Sequence, residues 1–193
     1  GLGTLTARLA ERVPEGKIIA LELDRDMLAV LRAELAGVDN VDVEEADAMR
    51  YDLKMAARWH GGPIAVCGNL PYQIASQLMF RVIEARAHVT HAVMMIQKEM
   101  ADRLIAPPGG KDYGAMGVMI RTYADVSTVI KVGAGSFVPA PKVDSTVVKL
   151  TPLPDAKPRA PITDDKHYSA VVHAACGQRR TTLRNAPSAA FAE

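Results

Sequence analysis

The stretch PIAVCGNLPYQIASQLMFRVIEA, residues 63–85, holds a strand, a rigid corner and a helix in succession, and its reading sets the architecture of the chain. PIAVC (63–67) is an apolar run of strand length, whereas QIASQLMFRVIEA (73–85) repeats its apolar residues at helical spacing over a length no ordinary strand reaches. Between them, Asn69, Pro71 and Tyr72 fall within four consecutive positions. The apolar run predicts a buried strand with Asn69 at its exit. Pro71 fixes its own φ and keeps Leu70 extended, so the Leu70 carbonyl is held in a set direction.

The same alternation continues on both sides. KIIALEL (17–23) predicts a strand and DRDMLAVLRAELAG (24–37) a helix whose terminal glycine suits a C-cap. VDVEEA (41–46) predicts a strand, residues 52–59 a helix, HAVMMIQ (91–97) a strand, and KEMADRLIA (98–106) and YGAMGVMIRTYA (113–124) helices. Strands that alternate with helices of this length pair in parallel within a helix-covered α/β sheet. STVIKV (127–132) and DSTVVKLTPL (144–153) are β-branched runs joined by GAGSFVPAPKV, too rich in Gly and Pro for either regular element, and predict an antiparallel pair at the sheet's end. PLPDAKPRAPITDD (152–165) reads as a Pro-rich linker, and the remainder is helical in pattern.

Composition sets bounds. With 49% hydrophobic side chains, 193 residues can bury a sizeable core. The 23 basic and 22 acidic residues nearly cancel, but residues 1–60 hold 8 basic and 12 acidic side chains, net −4, and residues 61–193 hold 15 and 10, net +5. A polyanion would meet the later part first, unless this is ordinary surface variation. Cys67 and Cys176 lack paired spacing, which suits a reducing, cytoplasmic setting. No run approaches the roughly 18 apolar residues of a membrane span, so no membrane is expected. His60, His88, His91, His167 and His173 lack ligand spacing, so no metal is expected either.

The first residues, GLGTLTARLAERV, place two glycines ahead of a helix, which suits either a loop closely approached by a ligand in a doubly wound sheet or a flexible terminus. Glu22 ends a strand about twenty positions later, where such folds place an acid that accepts from ribose hydroxyls. Asp47 lies at the end of the next strand. Each acid alone equally suits a helix N-cap or a solvated turn. Together, at successive strand ends, they favour a nucleoside-containing cofactor.

The corner at 69–72 has its own chemistry. The Asn69 amide oxygen and the Leu70 carbonyl can both accept from one amino group, while Tyr72 offers a flat face to the ring that carries it. An exocyclic adenine N6 fits, and accepting its hydrogens draws the nitrogen lone pair out of conjugation. A plain Asn-containing turn with Tyr72 packed on the core is the other reading.

These residues resemble a known family. NLPY matches the N-[LIP]-P-[YF] motif of S-adenosylmethionine-dependent amino-methyltransferases, and FVPAPKVDSTVV, QKEMADRL and GQRRTTLRN resemble the KsgA-type small-subunit ribosomal RNA adenine dimethyltransferases. The Erm-type enzymes, which act on 23S RNA and confer macrolide resistance, are similar but tend to carry Ile in the second place of the tetrad, so Leu70 favours the KsgA type. The resemblance implies a Rossmann-like class I methyltransferase sheet, mostly parallel with the antiparallel pair at its end, over residues 1–151. A linker and the start of a small α-helical domain would follow over 152–193.

It further implies S-adenosyl-L-methionine as cofactor, with Gly1 and Gly3 beside its methionine part, Glu22 on the ribose, and Asp47 and Ala48 on the adenine. Asn69 would touch both substrates, and Asn69, Leu70 and Pro71 would hold the target amine. Tyr72 would stack on the base and Phe137 would close over its other face, although Phe137 alone also suits a loop anchored on the core. Lys142, Arg179, Arg180 and Arg184 would meet phosphates. The implied partner is small-subunit ribosomal RNA in a 30S-type pre-ribosomal particle, bound by a monomer. The expected reaction is dimethylation of N6 on two adjacent adenosines near the RNA 3′ end. The alternatives are Erm-type 23S methylation and a non-catalytic ribosome-assembly factor.

The chain also departs from the family pattern. Cys176 stands where Phe is usual and Thr181 where Lys is usual. The family's N-terminal arm, its first strand and the first glycine of its loop have no counterpart. The expectation is therefore a stretch that begins inside a longer chain, a sheet lacking the strand between those bearing Glu22 and Asn69, and weak cofactor binding by these residues alone.

Overall fold

In the computed structural model the alternating runs become six strands and seven α-helices over residues 1–177, the residues the structure describes. They fall into two compact units, Gly1–Asp52 and the residues from Leu53 onward.

The first unit runs α1 (Thr4–Arg12), β1 (Ile18–Glu22), α2 (Arg25–Glu34) and β2 (Val41–Glu45). β1 and β2 pair in parallel, from Ile18 opposite Val41 to Glu22 opposite Glu45. Asp24 starts α2 by accepting from the Asp26 and Met27 N–H groups at 2.9 and 3.0 Å, satisfying donors that have no partner inside the helix. Gly37, at φ 83°, lets the chain turn away after it. Ala20, Leu31 and Leu35 form a small core with Ala7, Val38, Val41 and Val43 around it. The Asn40 side chain donates to the Ala10 and Val13 carbonyls at 3.1 and 2.9 Å, tying the end of α1 to the entry of β2.

The second unit runs α3 (Leu53–His60), β3 (Ile64–Asn69), α4 (Ala75–Glu84), β4 (Val89–Gln97), α5 (Lys98–Ile105), α6 (Ala115–Tyr123), β5 (Ala124–Val132), β6 (Ser145–Pro152) and α7 (Asp165–Gly177). Its sheet has the order β3-β4-β6-β5. β3 and β4 are parallel, and β6 runs antiparallel to both of its neighbours. The expected antiparallel pair is present, with β6 on the inside and β5 at the edge. Burial explains the order: Ser145, Thr146, Val148 and Leu150 of β6 are buried, whereas residues 127–131 of β5 are exposed. A register shift between Thr128 and Ile130 leaves Val129 out of the ladder, and Lys131 lies beside it; bulges and charges of this kind discourage pairing at a free edge.

The core of this unit is built from Met79 and Val82 of α4, Met94 and Ile96 of β4, Leu104 of α5, Ile120 of α6, and Val148 and Leu150 of β6, all fully buried. Gly117 lets α6 close on α5, because a Cβ there would lie 2.6 Å from the Arg103 carbonyl oxygen.

Two readings change on contact with the structure. The strand after Pro63 is not buried: Ala65, Cys67 and Asn69 are exposed and Ile64, Val66 and Gly68 only half-buried. Among the described residues β3 pairs with β4 alone, and a short apolar run does not reveal how many neighbours its strand will have. The strand also continues through Gly68 to Asn69.

The Pro-rich segment, for its part, is held against the domain. Leu153 N–H donates to the Tyr123 carbonyl at 3.0 Å and Arg159 N–H to the Thr122 carbonyl at 2.9 Å. The Arg159 guanidinium reaches the Arg121 carbonyl at 2.7 Å and Asp125 at 2.5 Å, and Arg86 donates to the Ala156 carbonyl at 2.9 Å. α7 is joined to α6 through Tyr123 Oη donating to Asp165 and a bond between the Tyr168 and Thr122 hydroxyls, both 2.6 Å long. No helix among the described residues is long and apolar enough to cross a membrane.

Candidate functional site

In the first unit, parallel pairing puts the carboxyl ends of β1 and β2 side by side. The Ala46 N–H donates to the Glu22 carbonyl at 3.1 Å, so Asp47 enters the turn just beyond the paired ends. Glu22 Oε1 accepts from the Leu23 and Asp24 N–H groups at 2.9 and 3.0 Å, and its Oε2 meets the Gly1 amino group. Asp47 Oδ1 accepts from the Met49 N–H at 2.8 Å, and its backbone carbonyl from Arg50 and Tyr51. Ala48 is half-buried in the same turn.

Gly3 sits at φ 82° ahead of α1, and a Cβ there would lie 2.7 Å from Leu31 Cδ1. The left-handed φ favours glycine here, and a larger residue would also have to push the Leu31 side chain aside. Glu22, Asp24, Glu45 and Asp47 lie at or just beyond the ends of β1 and β2, with Glu45 paired to Arg25 at 2.9 Å and Asp47 to Arg50 at 3.7 Å. Their carboxylates can accept from hydroxyls and amines.

In the second unit, Asn69 is the last residue of β3, opposite Met95 of β4. The Leu70 N–H donates to the Met95 carbonyl at 3.3 Å, carrying the ladder one step past the strand. The Pro71 carbonyl accepts from the Ile74 N–H at 3.1 Å and closes the turn into α4. Pro71 is therefore committed to the turn. Among the described residues, neither the exposed Asn69 carboxamide nor the Leu70 carbonyl has a hydrogen-bond partner. Tyr72 is half-buried beside them. Gly68 leaves room for the Leu70 side chain, whose Cδ2 lies 3.0 Å from where a Cβ would stand.

The sheet register brings a second segment to this end. Gln97 at the close of β4 pairs with Ser145, which opens β6 and pairs on its other side with Val132 at the close of β5. The loop 133–144, with Phe137 and Lys142, therefore lies at the same end of the sheet as the 69–72 corner. Phe137 is half-buried, less enclosed than a core anchor, and Lys142 is exposed without an ion pair among the described residues. Arg179, Arg180, Arg184 and Thr181 lie outside the described residues. Among those described, no group of three His, Cys, Asp or Glu converges to hold a metal.

Two structural residues escaped the sequence reading. Asp24, and neither Glu22 nor Asp47, caps α2; its signal is an acid immediately ahead of a helical run. Asp144 ties the loop 133–144 to its surroundings. Its Oδ1 accepts from the Ala134 N–H at 3.0 Å and its backbone carbonyl from the Lys98 N–H at 2.9 Å. An Asp between a Pro-containing loop and a strand announces a turn, but its two donors lie 10 and 46 positions away in the sequence.

Known proteins resemble this chain over nearly its whole length. A profile of the family described as ribosomal RNA adenine dimethylase matches residues 1–192. The chain is 39% identical to a protein of Alkaliphilus metalliredigens named ribosomal RNA small subunit methyltransferase A, covering 97% of this chain and 65% of that protein. It is 43% identical to the protein of the same name from Anaeromyxobacter sp. (strain K), covering 96% and 66%. The chain thus spans slightly less than two thirds of each. Among solved structures, a dimethyladenosine transferase from Plasmodium falciparum superposes with a TM-score of 0.79 at 29% identity, over 96% of this chain and 64% of that one. The 23S rRNA methyltransferase ErmE superposes with a TM-score of 0.74 at 26% identity, over 97% and 71%. With the α/β methyltransferase sheet and an Asn-Leu-Pro-Tyr corner at its strand end, this chain belongs to the ribosomal RNA adenine dimethylase family.

Proposed function

We propose that the protein transfers methyl groups from S-adenosyl-L-methionine to N6 of two adjacent adenosines near the 3′ end of small-subunit ribosomal RNA. The product would be N6,N6-dimethyladenosine, formed by a cytoplasmic monomer on a 30S-type pre-ribosomal particle. One observation carries this reading: among the described residues the Asn69 carboxamide and the Leu70 carbonyl stand without hydrogen-bond partners beside Tyr72, while the neighbouring Pro71 carbonyl is committed to the turn. Two acceptors next to an aromatic face suit a planar amine.

The acidic strand ends of the first unit fit the cofactor. Its ribose hydroxyls and adenine amine are donors and its sulfonium is cationic. Gly1, Gly3, Glu22, Asp47 and Ala48 would hold it. When bound, it supplies an electrophilic methyl group.

The rest falls to the chain's own side chains. Asn69 Oδ1 and the Leu70 carbonyl accept the two N6 hydrogens, hold the nitrogen pyramidal and oppose the positive charge that develops on it. Pro71 keeps the Leu70 carbonyl aimed. A paired adenine cannot reach such a corner, so the base must come unstacked from a loop or be turned outward. Stacking by Tyr72 and Phe137 contributes on the order of 1–3 kcal/mol each. As the new N–C bond forms, the methyl–sulfur bond breaks to leave a thioether, and the methylated nitrogen gives up one proton to solvent; the monomethylated amine returns with one hydrogen, from which either oxygen can accept a hydrogen bond. Lys142, Arg179, Arg180 and Arg184 would contact phosphates. Residues 1–151 would carry the transfer chemistry, and 152–193 would lead into a helical domain.

The test is to incubate the protein with undermethylated small subunits and methyl-labelled cofactor and to map the label by nucleotide. Label on adjacent small-subunit adenosines is expected. Label on large-subunit RNA would instead assign the Erm-type reaction that the likeness to ErmE leaves as the second reading.

A further inference from the structure

We infer that Asp144 is a positioning residue for the base-closing loop: its carboxylate fixes Phe137 through Ala134. This rests on the reading of Phe137 as the side chain that closes over the target base. The connection is a chain of two hydrogen bonds. Asp144 Oδ1 accepts from the Ala134 N–H at 3.0 Å, and the Ala134 carbonyl accepts from the Phe137 N–H at 3.2 Å. Between them the Ser136 N–H donates to the Gly133 carbonyl at 3.0 Å, so residues 134–136 form one tight turn whose first N–H is held by the carboxylate.

The β5–β6 ladder ends at Val132 opposite Ser145. One residue further out, the Asp144 side chain takes the place of the next rung. The base of the loop is thereby closed, while Val138 at its tip is fully exposed. The other end of Asp144 is also engaged. Its backbone carbonyl receives the Lys98 N–H that opens α5, a helix with no side-chain cap of its own. One residue thus joins the β6 start, the α5 start and the Phe137 turn, all at the sheet end that carries Asn69. A carboxylate accepting from a backbone N–H is among the stronger hydrogen bonds available there.

Asp144 touches no reacting atom, so its effect must pass through Phe137. Steady-state methylation of undermethylated small subunits is measured for Asp144→Ala, Phe137→Ala and the double variant, with cofactor affinity followed by calorimetry. Asp144→Ala is expected to lower kcat/KM for RNA by about 10- to 100-fold, the range that loss of one base stack produces. Cofactor affinity should not change. The double variant should be no worse than Phe137→Ala alone, and Asp144→Asn, which keeps an acceptor oxygen, should recover most of the loss.

Asp144→Ala keeps the backbone carbonyl that receives the Lys98 N–H and removes only the carboxylate, and Ala134→Pro serves as an independent probe from the donor side. It removes the donated N–H and puts a ring carbon where the carboxylate oxygen sits, so the contact is broken from the other side, and Gly133, at φ −68° and ψ 150°, already has the geometry that precedes proline. It should reproduce the Asp144→Ala defect. Additive losses in the double variant, or an Ala134→Pro protein with unchanged kcat/KM, would overturn the inference while leaving the methyltransferase reading intact. A full-length wild-type protein that labels no RNA overturns both.

Discussion

At the scale of single residues, the proposed chemistry rests on groups that have no hydrogen-bond partner among the described residues. Asn69 is the sharpest case, an exposed carboxamide at a strand end with no hydrogen bond among the described residues. Replacing it by Ala should lower kcat for methyl transfer by about 100-fold or more, the usual cost of losing one positioned hydrogen-bonding group, with RNA affinity nearly unchanged in a filter-binding assay. If such a variant still supported subunit maturation, a binding role in assembly would outweigh catalysis.

Tyr123 makes a different prediction. Burial, followed by its hydrogen bond to Asp165, pushes its phenol up to about 12 from the ordinary 10.0. A raised folded-state pKa means that the protonated form stabilises the fold. The contribution is complete below pH 10 and is lost as pH climbs through about 12. Thermal unfolding followed across that window should show Tyr123→Phe with a shallower alkaline decline than the parent, though a lower Tm at neutral pH. Equal alkaline slopes would show that the Tyr123–Asp165 bond does not matter.

At the scale of elements, most boundaries were legible because each is set by local chemistry. The β-branched run 17–23 gave β1, and the spacing of apolar residues in 24–37 gave α2. The cap of that helix was not singled out, yet it is local as well. Asp24→Ala removes the acceptor for the Asp26 and Met27 N–H groups and should cost about 1 kcal/mol of stability by urea denaturation. Asp24→Asn should cost much less. The misreading of β3 as buried has the opposite origin. Its apolar residues obey strand propensity, but its exposure follows from pairing with β4 alone among the described strands. The Pro-rich segment 152–165 was likewise read from composition, while its attachment depends on carbonyls at Arg121, Thr122 and Tyr123 that lie some thirty or more positions earlier.

At the scale of the whole molecule, charge separates the chain into an acidic beginning, net −4 over residues 1–60, and a basic remainder, net +5. The acidic part carries the strand ends suited to a cationic nucleoside, and the basic part carries the corner and loop suited to RNA. Lys142→Ala should therefore weaken RNA binding regardless of the sequence bound and reduce the slope of log K against log salt by about one, measured by titration at several ionic strengths. An unchanged slope would remove Lys142 from the RNA interface. The sequence by itself determined the order of strands and helices, the composition of the Asn-Leu-Pro-Tyr corner and the acids at successive strand ends, because period, propensity and turn chemistry act over a few residues. Only the tertiary structure decided that β6 lies between β4 and β5, that one side of β3 is exposed, and that Asp144 holds Ala134 and Lys98. Those outcomes depend on which distant backbone groups arrive as neighbours, and neither a propensity nor a spacing encodes that.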